Sequence, residues 1–330
     1  MWAWVFKAMR VFITGGNGFI GSRVVRALTE AGHDVRCLLR ATSNTDRIDD
    51  LDYESHIGDI RDLESIRSGM EGMEACIHLA SISAWSDMRS SALDDTVIAG
   101  TRNVLDACLE QRPMRLVYVS SAIAINGSAT PRVFDERSPF ELRDASMPYA
   151  LAKHEAELLV TSYVQKGLNA VMVNPAEVYG PNDTGYVTAG NLVDALTSWP
   201  ALACRGGTAV THVDDVAQAM VSALTLGSTG ERYILGGDNL SVAELLKLTI
   251  DLAGQTKPVV TLPNGPLKWA VNSLAKLRLP TPVAPEVLDY ATYYFFMDSS
   301  KAIRELNYTP RPAADVLEPV IDWLRSIGKV

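Results

Sequence analysis

Short apolar runs alternate with stretches in which apolar residues recur every third or fourth position, from Arg10 to about Pro175. The runs read as strands buried on both faces, the stretches as helices with one apolar side. The strand runs are Arg10 to Ile13, Asp34 to Leu39, Ser55 to Ile57, Ala75 to Ala80, Leu116 to Val119 and Ala170 to Val173. Helical spacing follows the first run (Phe19, Ile20, Val24, Val25, Leu28) and fills 92–110, with Val97, Val104, Leu105 and Cys108 on its apolar face. It resumes near Pro148. Strand and helix alternating in this way predict an α/β fold built on a doubly wound parallel sheet.

Past Pro175 the alternation loosens. Helices are expected at 191–197 and 216–226, with a seventh strand at Arg232 to Leu235. Ser241 and Glu244 form a capping-box signature ahead of Leu245 and Leu246. The proline-rich stretch from Lys257 to Pro285 carries Leu, Trp and Val at helical spacing, so it reads as a separate lobe and not as a linker.

Between the first strand and the first helix lies Thr14-Gly15-Gly16-Asn17-Gly18-Phe19-Ile20-Gly21. Glycines there let the backbone turn tightly and approach a pyrophosphate, whose charge sits on the N–H groups of the helix start. The spacing, with glycines at 15, 18 and 21, is G-x-x-G-x-x-G rather than the commoner G-x-G-x-x-G. Its place between strand and helix favours a dinucleotide site over an ordinary glycine turn.

Composition narrows the partners. The chain has 330 residues, 47% of them hydrophobic, which suits one large α/β domain plus a smaller lobe. A net charge of −9 argues against nucleic acid and anionic membrane as partners. Cys37, Cys76, Cys108 and Cys204 are scattered, without a C-x-x-C pair or a histidine cluster. They are expected as buried thiols in a reducing, cytoplasmic setting, with no metal site. Residues 1–8 precede the first strand and are too short for a membrane span. They read as an upstream start or an added tail, with an interfacial anchor as the other reading.

A second constellation is Tyr149 and Lys153, four residues apart at a helix start and therefore on one face. An ammonium about 4–5 Å from a phenol, at an effective dielectric of about 20, favours phenolate by roughly 4 kcal/mol. That would bring a tyrosine pKa from ~10 towards ~7, where it can exchange a proton with an alcohol oxygen. Ser120 and Ser121 follow the fifth strand, at the carboxyl end that faces the ligand crevice in such a sheet, so a hydroxyl there can orient a carbonyl.

With these residues in this order, the chain from Met9 onward resembles the extended short-chain dehydrogenase/reductases of the NAD-dependent epimerase/dehydratase family. That superfamily includes sugar-nucleotide epimerases, dihydroflavonol reductases and 3β-hydroxysteroid dehydrogenases. Further resemblance lies in Gly58-Asp59-Ile60, His78 to Ser81, Gly100 to Leu105, Asn174 to Pro181, His212 to Ala217 and Asp298 to Ala302. It implies a dinucleotide-binding Rossmann domain at 9–180, completed by about 208–240. The substrate lobe is then the smaller one, formed by 181–207 and 241–330.

By the same resemblance Tyr149 is the acid/base, Lys153 its electrostatic partner and a ligand of ribose hydroxyls, and Ser121 the carbonyl orienter, with Ser120 as the fallback. Gly15, Asn17, Gly18, Phe19 and Ile20 would meet the pyrophosphate, and Asp59 and Ile60 the adenine. Leu79, Ala80 and Ser81 would line the nicotinamide-side ribose, and Pro175, Ala176 and Val178 the carboxamide. Ser83, Trp85, Ile123, Glu177 and Tyr186 are the candidate substrate contacts; packing is the other reading of Ser83, Trp85 and Tyr186, and a carboxylate satisfied by nearby backbone that of Glu177. His78 and His212 are expected to be structural, and His154 solvated. A homodimer through the 92–110 and 149–166 helices is common in the family.

Departures from the family pattern choose among branches. Ala122 and Ile123 stand where a 4,6-dehydratase carries an Asp-Glu pair, and Thr208 to Thr211 lack the arginine with which many epimerases grip a sugar nucleotide, Arg205 lying further back. Asn174-Pro175, Ser120-Ser121-Ala122 and the short 181–212 segment look more like the dihydroflavonol reductases, a resemblance that implies reduction of a carbonyl; an epimerase on an activated sugar is the alternative, and a non-catalytic sensor a third reading. The second strand ends Leu38-Leu39-Arg40-Ala41-Thr42-Ser43 with no carboxylate before Asp46. An acid at that end would hold a ribose 2′-hydroxyl, whereas Arg40 can fork onto a 2′-phosphate. NADP(H) is therefore expected, with NAD(H) as the alternative if Arg40 stacks on adenine or faces water.

Overall fold

The computed structural model describes residues 8–82, 93–277, 279, 281 and 285–330. The first half runs β1 (Arg10–Thr14), α1 (Phe19–Glu30), β2 (Asp34–Leu39), β3 (Glu54–Ile57), α2 (Leu63–Met70), β4 (Ala75–His78), α3 (Gly100–Glu110) and β5 (Arg115–Val119). Next come β6 (Val133–Phe134), α4 (Pro148–Gln165), β7 (Asn169–Pro175), β8 (Glu177–Tyr179), α5 (Ala189–Thr197), β9 (Ala201–Ala203) and β10 (Gly207–His212). Then follow α6 (Val213–Ala223), β11 (Arg232–Leu235), β12 (Asp238–Ser241), α7 (Val242–Leu252), β13 (Val259–Thr261) and α8 (Asn264–Lys276). The chain closes with α9 (Pro285–Ala291), β14 (Tyr294–Met297), α10 (Ser300–Leu306) and α11 (Ala313–Ser326).

Seven strands form one parallel sheet in the order β11-β7-β5-β4-β1-β2-β3. The chain walks outward from β1 to β3, then crosses back to lay β4 on the other side of β1. That reversal opens a crevice at the carboxyl ends of β1 and β4, the place where doubly wound sheets bind ligands.

Both faces of the sheet are covered, which is why β1 has no polar alternation. Val11 and Ile13 point into the core shared with Val24, Val25 and Leu28 of α1 and Val216, Ala217 and Met220 of α6. Phe12 points the other way, into the core with Ile66 of α2, Val104 and Leu105 of α3 and Ala156 and Val160 of α4. A second, five-stranded sheet runs β12-β10-β14-β6, with β8 on β10, and β13 pairs β9 in a small third one. Behind the second sheet, α11 packs against α5 and α7 through Val316, Leu317, Val320, Leu192 and Leu245.

The strands at 34–39 and 232–235 and the Ser241–Glu244 capping box stand where the sequence puts them. Two helices differ at their starts. Among the described residues, the 92–110 helix opens with a π-helical stretch, Asp94–Ala99, before α3. The helix expected from 216 begins at Val213, because the His212 side chain accepts the Asp214 N–H and caps it. All four cysteines are free and buried, and burial pushes the Cys37 thiol up to about 12 and that of Cys204 to about 11. No helix among the described residues is long and apolar enough to cross a membrane.

The contact between α1 and α6 fixes the position of the glycine turn. Leu28 is fully buried in it. Leu28→Ala should lower the unfolding free energy by ~2–5 kcal/mol, transfer and cavity terms together, read as the shift in urea midpoint. A change below ~1 kcal/mol would mean that this helix pair does not carry the sheet.

Candidate active site

Gly15 ends β1 with φ +74°, a left-handed conformation that a side chain would strain. Space forbids one as well, since a Cβ there would lie 2.8 Å from the Ala80 nitrogen. At Gly21 a Cβ would come within 2.0 Å of the Gly15 carbonyl oxygen. The unusual spacing therefore lets α1 pack directly onto the turn. Gly18 caps α1 without any side-chain bond, and the first turn holds no acid. Its N–H groups, with the helix dipole, suit an anion. Asn17 is tied down by its Nδ2 bond to the Asn44 carbonyl at 3.0 Å.

Beside the turn, the ends of β1 and β4 are clamped through one imidazole. Thr14 Oγ1 lies 2.6 Å from His78 Nδ1, and Thr101 Oγ1 of α3 lies 3.1 Å from His78 Nε2. Thr14 Oγ1 also accepts the Ala80 N–H at 3.2 Å. This holds Leu79, Ala80 and Ser81 against Gly15. Burial, helped by the charge of Lys153, drives the His78 pKa down to about 3, so the ring is neutral. It is a tie, as the sequence reading has it, and not a base.

At the other end of the crevice Arg40 leaves β2 exposed, its N–H on Ser43 Oγ. Asp59 is held by Arg61, Nε at 3.0 Å and a second nitrogen at 2.7 Å. Arg61 first, and Arg40 more weakly, keep the Asp59 carboxyl below its ordinary range. Ile60 is buried against Gly100, and its carbonyl accepts Asn103 Nδ2 at 2.9 Å.

Tyr149 stands at the start of α4, half-buried, and packs against a buried apolar cluster that includes Ala122, Ile125, Met147 and Tyr290; Ile123, Ala176 and Tyr293 border the same cluster. Its N–H donates to Tyr290 Oη at 3.2 Å, which ties the helix start to α9. The Ser81 hydroxyl is the group that favours phenolate, yet it makes no hydrogen bond of ordinary geometry. Here the electrostatic expectation fails. Burial raises the Tyr149 pKa rather than lowering it. The reason is the reach of Lys153. Its Nζ donates to the Val119 carbonyl at 3.1 Å and lies over the Tyr118 ring, 5.5 Å from its centre, and over that of Tyr149 at 5.8 Å, without a hydrogen bond to the phenol oxygen. Burial brings Lys153 itself down to about 8, opposed by Glu157.

Ser120 and Ser121 follow β5. The Ser120 N–H donates to the Val173 carbonyl at 2.8 Å, and the buried Ser120 hydroxyl, like that of Ser81, has no partner among the described residues. Ser121 is extended and leads into a 3₁₀ turn, Ala122–Ala124. Pro175 is buried, Val178 nearly so, and Ala176 is half-buried with its N–H on Leu235. The uncapped helix, the glycine turn and the two unpartnered hydroxyls suit a dinucleotide, with phosphates at α1 and ribose hydroxyls near Ser81.

The candidate substrate residues fare unevenly. Ile123 borders the same apolar cluster as Tyr149. The Glu177 carboxylate accepts from Tyr179 at 2.7 Å and Asn191 at 2.9 Å, so side chains satisfy it rather than backbone. Tyr186 turns away, at φ 51°, to stack on Trp323 of α11 at 6.2 Å below Lys329. Ser83 and Trp85 lie outside the described residues. His154 is half-buried rather than free in solvent, stacked on Phe140 at 4.0 Å. Sequence reasoning gave no role to Thr14, Thr101, Asn174 and Tyr290, whose partners are remote in the chain; the first three stand inside quoted motifs, and Tyr290 stands in none.

A family model described as the NAD dependent epimerase/dehydratase family matches residues 11–236. A protein of Synechocystis sp., provisionally named a dihydroflavonol 4-reductase, is 30% identical, over 99% of this chain and 98% of its own. A relative from Stigmatella aurantiaca, named 4-hydroxy-2-methyl-3-oxo-4-farnesyl-3,4-dihydroquinoline-1-oxide ketoreductase, is 29% identical over 97% of each chain. Among solved structures, the crystal structure of gox2253 superposes with a TM-score of 0.82 at 32% identity, covering 97% of this chain and 99% of that one.

The neutral imidazole clamp has a pH signature. His78 is held at about 3 in the folded chain against 6.5 as a free group, so protonation favours the unfolded chain. The stability the clamp supplies is full above pH ~6.5 and is lost as pH falls towards 3. Between pH 7 and 5 the wild type should lose about 2 kcal/mol from this group. His78→Gln should be less stable at pH 7, by a margin that shrinks by that amount at pH 5, in urea titrations at both pH values. A constant margin would remove the clamp.

Proposed function

Because the chain belongs to the NAD-dependent epimerase/dehydratase family, we propose that it is an NADP(H)-dependent reductase of small-molecule carbonyls, of the extended short-chain type. When bound, the nicotinamide supplies the hydride. The Ser121 and Tyr149 hydroxyls hold the carbonyl oxygen, and Tyr149 gives it a proton as the alkoxide forms. Lys153 spends one of its three donors on Val119. The remaining two serve ribose hydroxyls, and its charge stabilises the phenolate left behind.

The observation that carries this reading is Tyr149 at the head of α4, its phenol kept protonated by its packing beside the unpartnered Ser81 hydroxyl. A protonated phenol is the form a carbonyl reduction needs. Ile123, Ala176 and Tyr293, which border the same apolar cluster as Tyr149, suit a ketone or aldehyde on an apolar or aromatic body. One relative is named a ketoreductase and another, provisionally, a dihydroflavonol 4-reductase, which supports a reductase reading. Gly15, Asn17, Gly18, Phe19 and Ile20 take the pyrophosphate, Asp59 and Ile60 the adenine, Leu79 to Ser81 with Ser120 the nicotinamide ribose, and Pro175, Ala176 and Val178 the carboxamide. The competing reading, an epimerase on an activated sugar, requires isomerisation without net NADPH consumption. A panel of ketones, aldehydes and nucleotide sugars, each with NADPH and NADH, decides between them.

Tyr149→Phe removes one hydroxyl. Fold and NADPH affinity should persist while turnover falls at least ~100-fold, the scale of a lost general acid. Turnover within a few-fold of wild type would end the role given to Tyr149.

Arg40 decides the cofactor. A charge-assisted contact with a 2′-phosphate contributes roughly 1.5–3 kcal/mol, about a 10- to 150-fold preference for NADPH. Arg40→Ala should raise the Michaelis constant for NADPH at least ~10-fold and leave that for NADH nearly unchanged. A wild type that prefers NADH, or equal losses for both, would take Arg40 out of the site.

A further inference from the structure

One turn beyond Lys153, on the same face of α4, lies a carboxylate that the chemistry above does not use. Glu157 is only 3% exposed. One of its oxygens accepts a hydrogen bond from Asn174 Nδ2, and the other accepts from the Arg232 guanidinium at 3.2 Å. Asn174 is fully buried near the end of β7, and the same Nδ2 donates its second hydrogen to the Ser121 carbonyl at 3.0 Å. Arg232, at the start of β11, also donates to the Glu136 carbonyl. The chain of contacts therefore runs from the sheet edge through Arg232, Glu157 and Asn174 to the backbone of Ser121.

We propose that Glu157 is a positioning residue of the site: it holds the Asn174 amide on the Ser121 carbonyl and supplies the countercharge that keeps Lys153 an ammonium. This rests on the reductase reading for its catalytic meaning, but the two contacts stand without it. Taking an ammonium out of water favours its neutral form, and an opposite charge a helical turn away restores the charged one. The other groups facing the lysine cannot do so. His78 of β4 is neutral, and Tyr118 of β5 and Tyr149 are held above their ordinary values by burial. Around Glu157 itself stand His154, lowered by burial, Tyr118 and Arg232. Among these only Arg232 carries a charge at neutral pH, and it draws on the same carboxylate as Lys153.

The two pairings predict shifts of opposite sign. Glu157→Gln keeps an oxygen for Asn174 and removes the charge, so Lys153 should lose its proton at a pH lower by ~1. Arg232→Gln leaves the carboxylate to the lysine alone, so the same midpoint should rise. Isotope-labelled lysine side chains in the full, ligand-free chain read both by NMR titration, with Lys153→Met identifying the resonance. Identical midpoints in wild type and Glu157→Gln would overturn the proposal. If Glu157→Gln does not fold, an unmoved midpoint in Arg232→Gln overturns it. In turnover, Glu157→Gln should shift the alkaline limb of kcat by the same amount, with the NADPH Michaelis constant nearly constant. A wild type that reduces no carbonyl would sink the reductase reading, while the lysine titration would still test the countercharge.

Discussion

Strands of a doubly wound sheet stop while still surrounded by protein, and the polar groups stranded at their carboxyl ends must find partners without water. That requirement organises this molecule. At β1 and β4 it is met by Thr14, His78 and Thr101 around one neutral ring. At β5 and β7 it is met by Asn174, which takes the Ser121 carbonyl on one side and Glu157 on the other. Where the requirement is left unmet, at the hydroxyls of Ser81 and Ser120, the crevice has donors and acceptors to offer a ligand. Binding site and strain relief occupy the same few residues.

Electrostatics at the site follows burial more than pairing. Tyrosine, lysine and histidine here all move towards their uncharged forms, because low dielectric penalises charge whatever its sign. A protonated phenol beside a lysine of depressed basicity is a poised donor. It differs from the phenolate that helical spacing alone suggests.

The parts legible in the sequence were those written in local spacing. The glycine turn, the strands at 34–39 and 232–235 and the capping box depend on residues a few positions apart, and all stand where expected. What spacing could not give was the direction of a side chain whose partner lies far along the chain. Lys153 shares a face with Tyr149, yet it reaches Val119, 34 residues upstream, instead of the phenol oxygen. Tyr186 follows a turn that looks open to substrate but meets Trp323 of the last helix. His154 seemed solvated until Phe140, from the loop before α4, covered it. The family model matches the central sheet, to residue 236, while the relatives align over nearly the whole chain.

The bond from the Tyr149 N–H to the Tyr290 hydroxyl joins the head of α4 to a segment that arrives 141 residues later. An unsatisfied N–H at the first turn of a helix is ordinarily answered by a nearby cap, and Met147 supplies none. Tyr290 of α9 provides that cap from a distance. Exchange of the segment that carries α9 between related proteins is therefore not a free modular swap: a graft lacking a hydroxyl at position 290 would leave the head of α4 frayed. Recombination should be tolerated best where the junction carries Tyr290 along with the helix it caps.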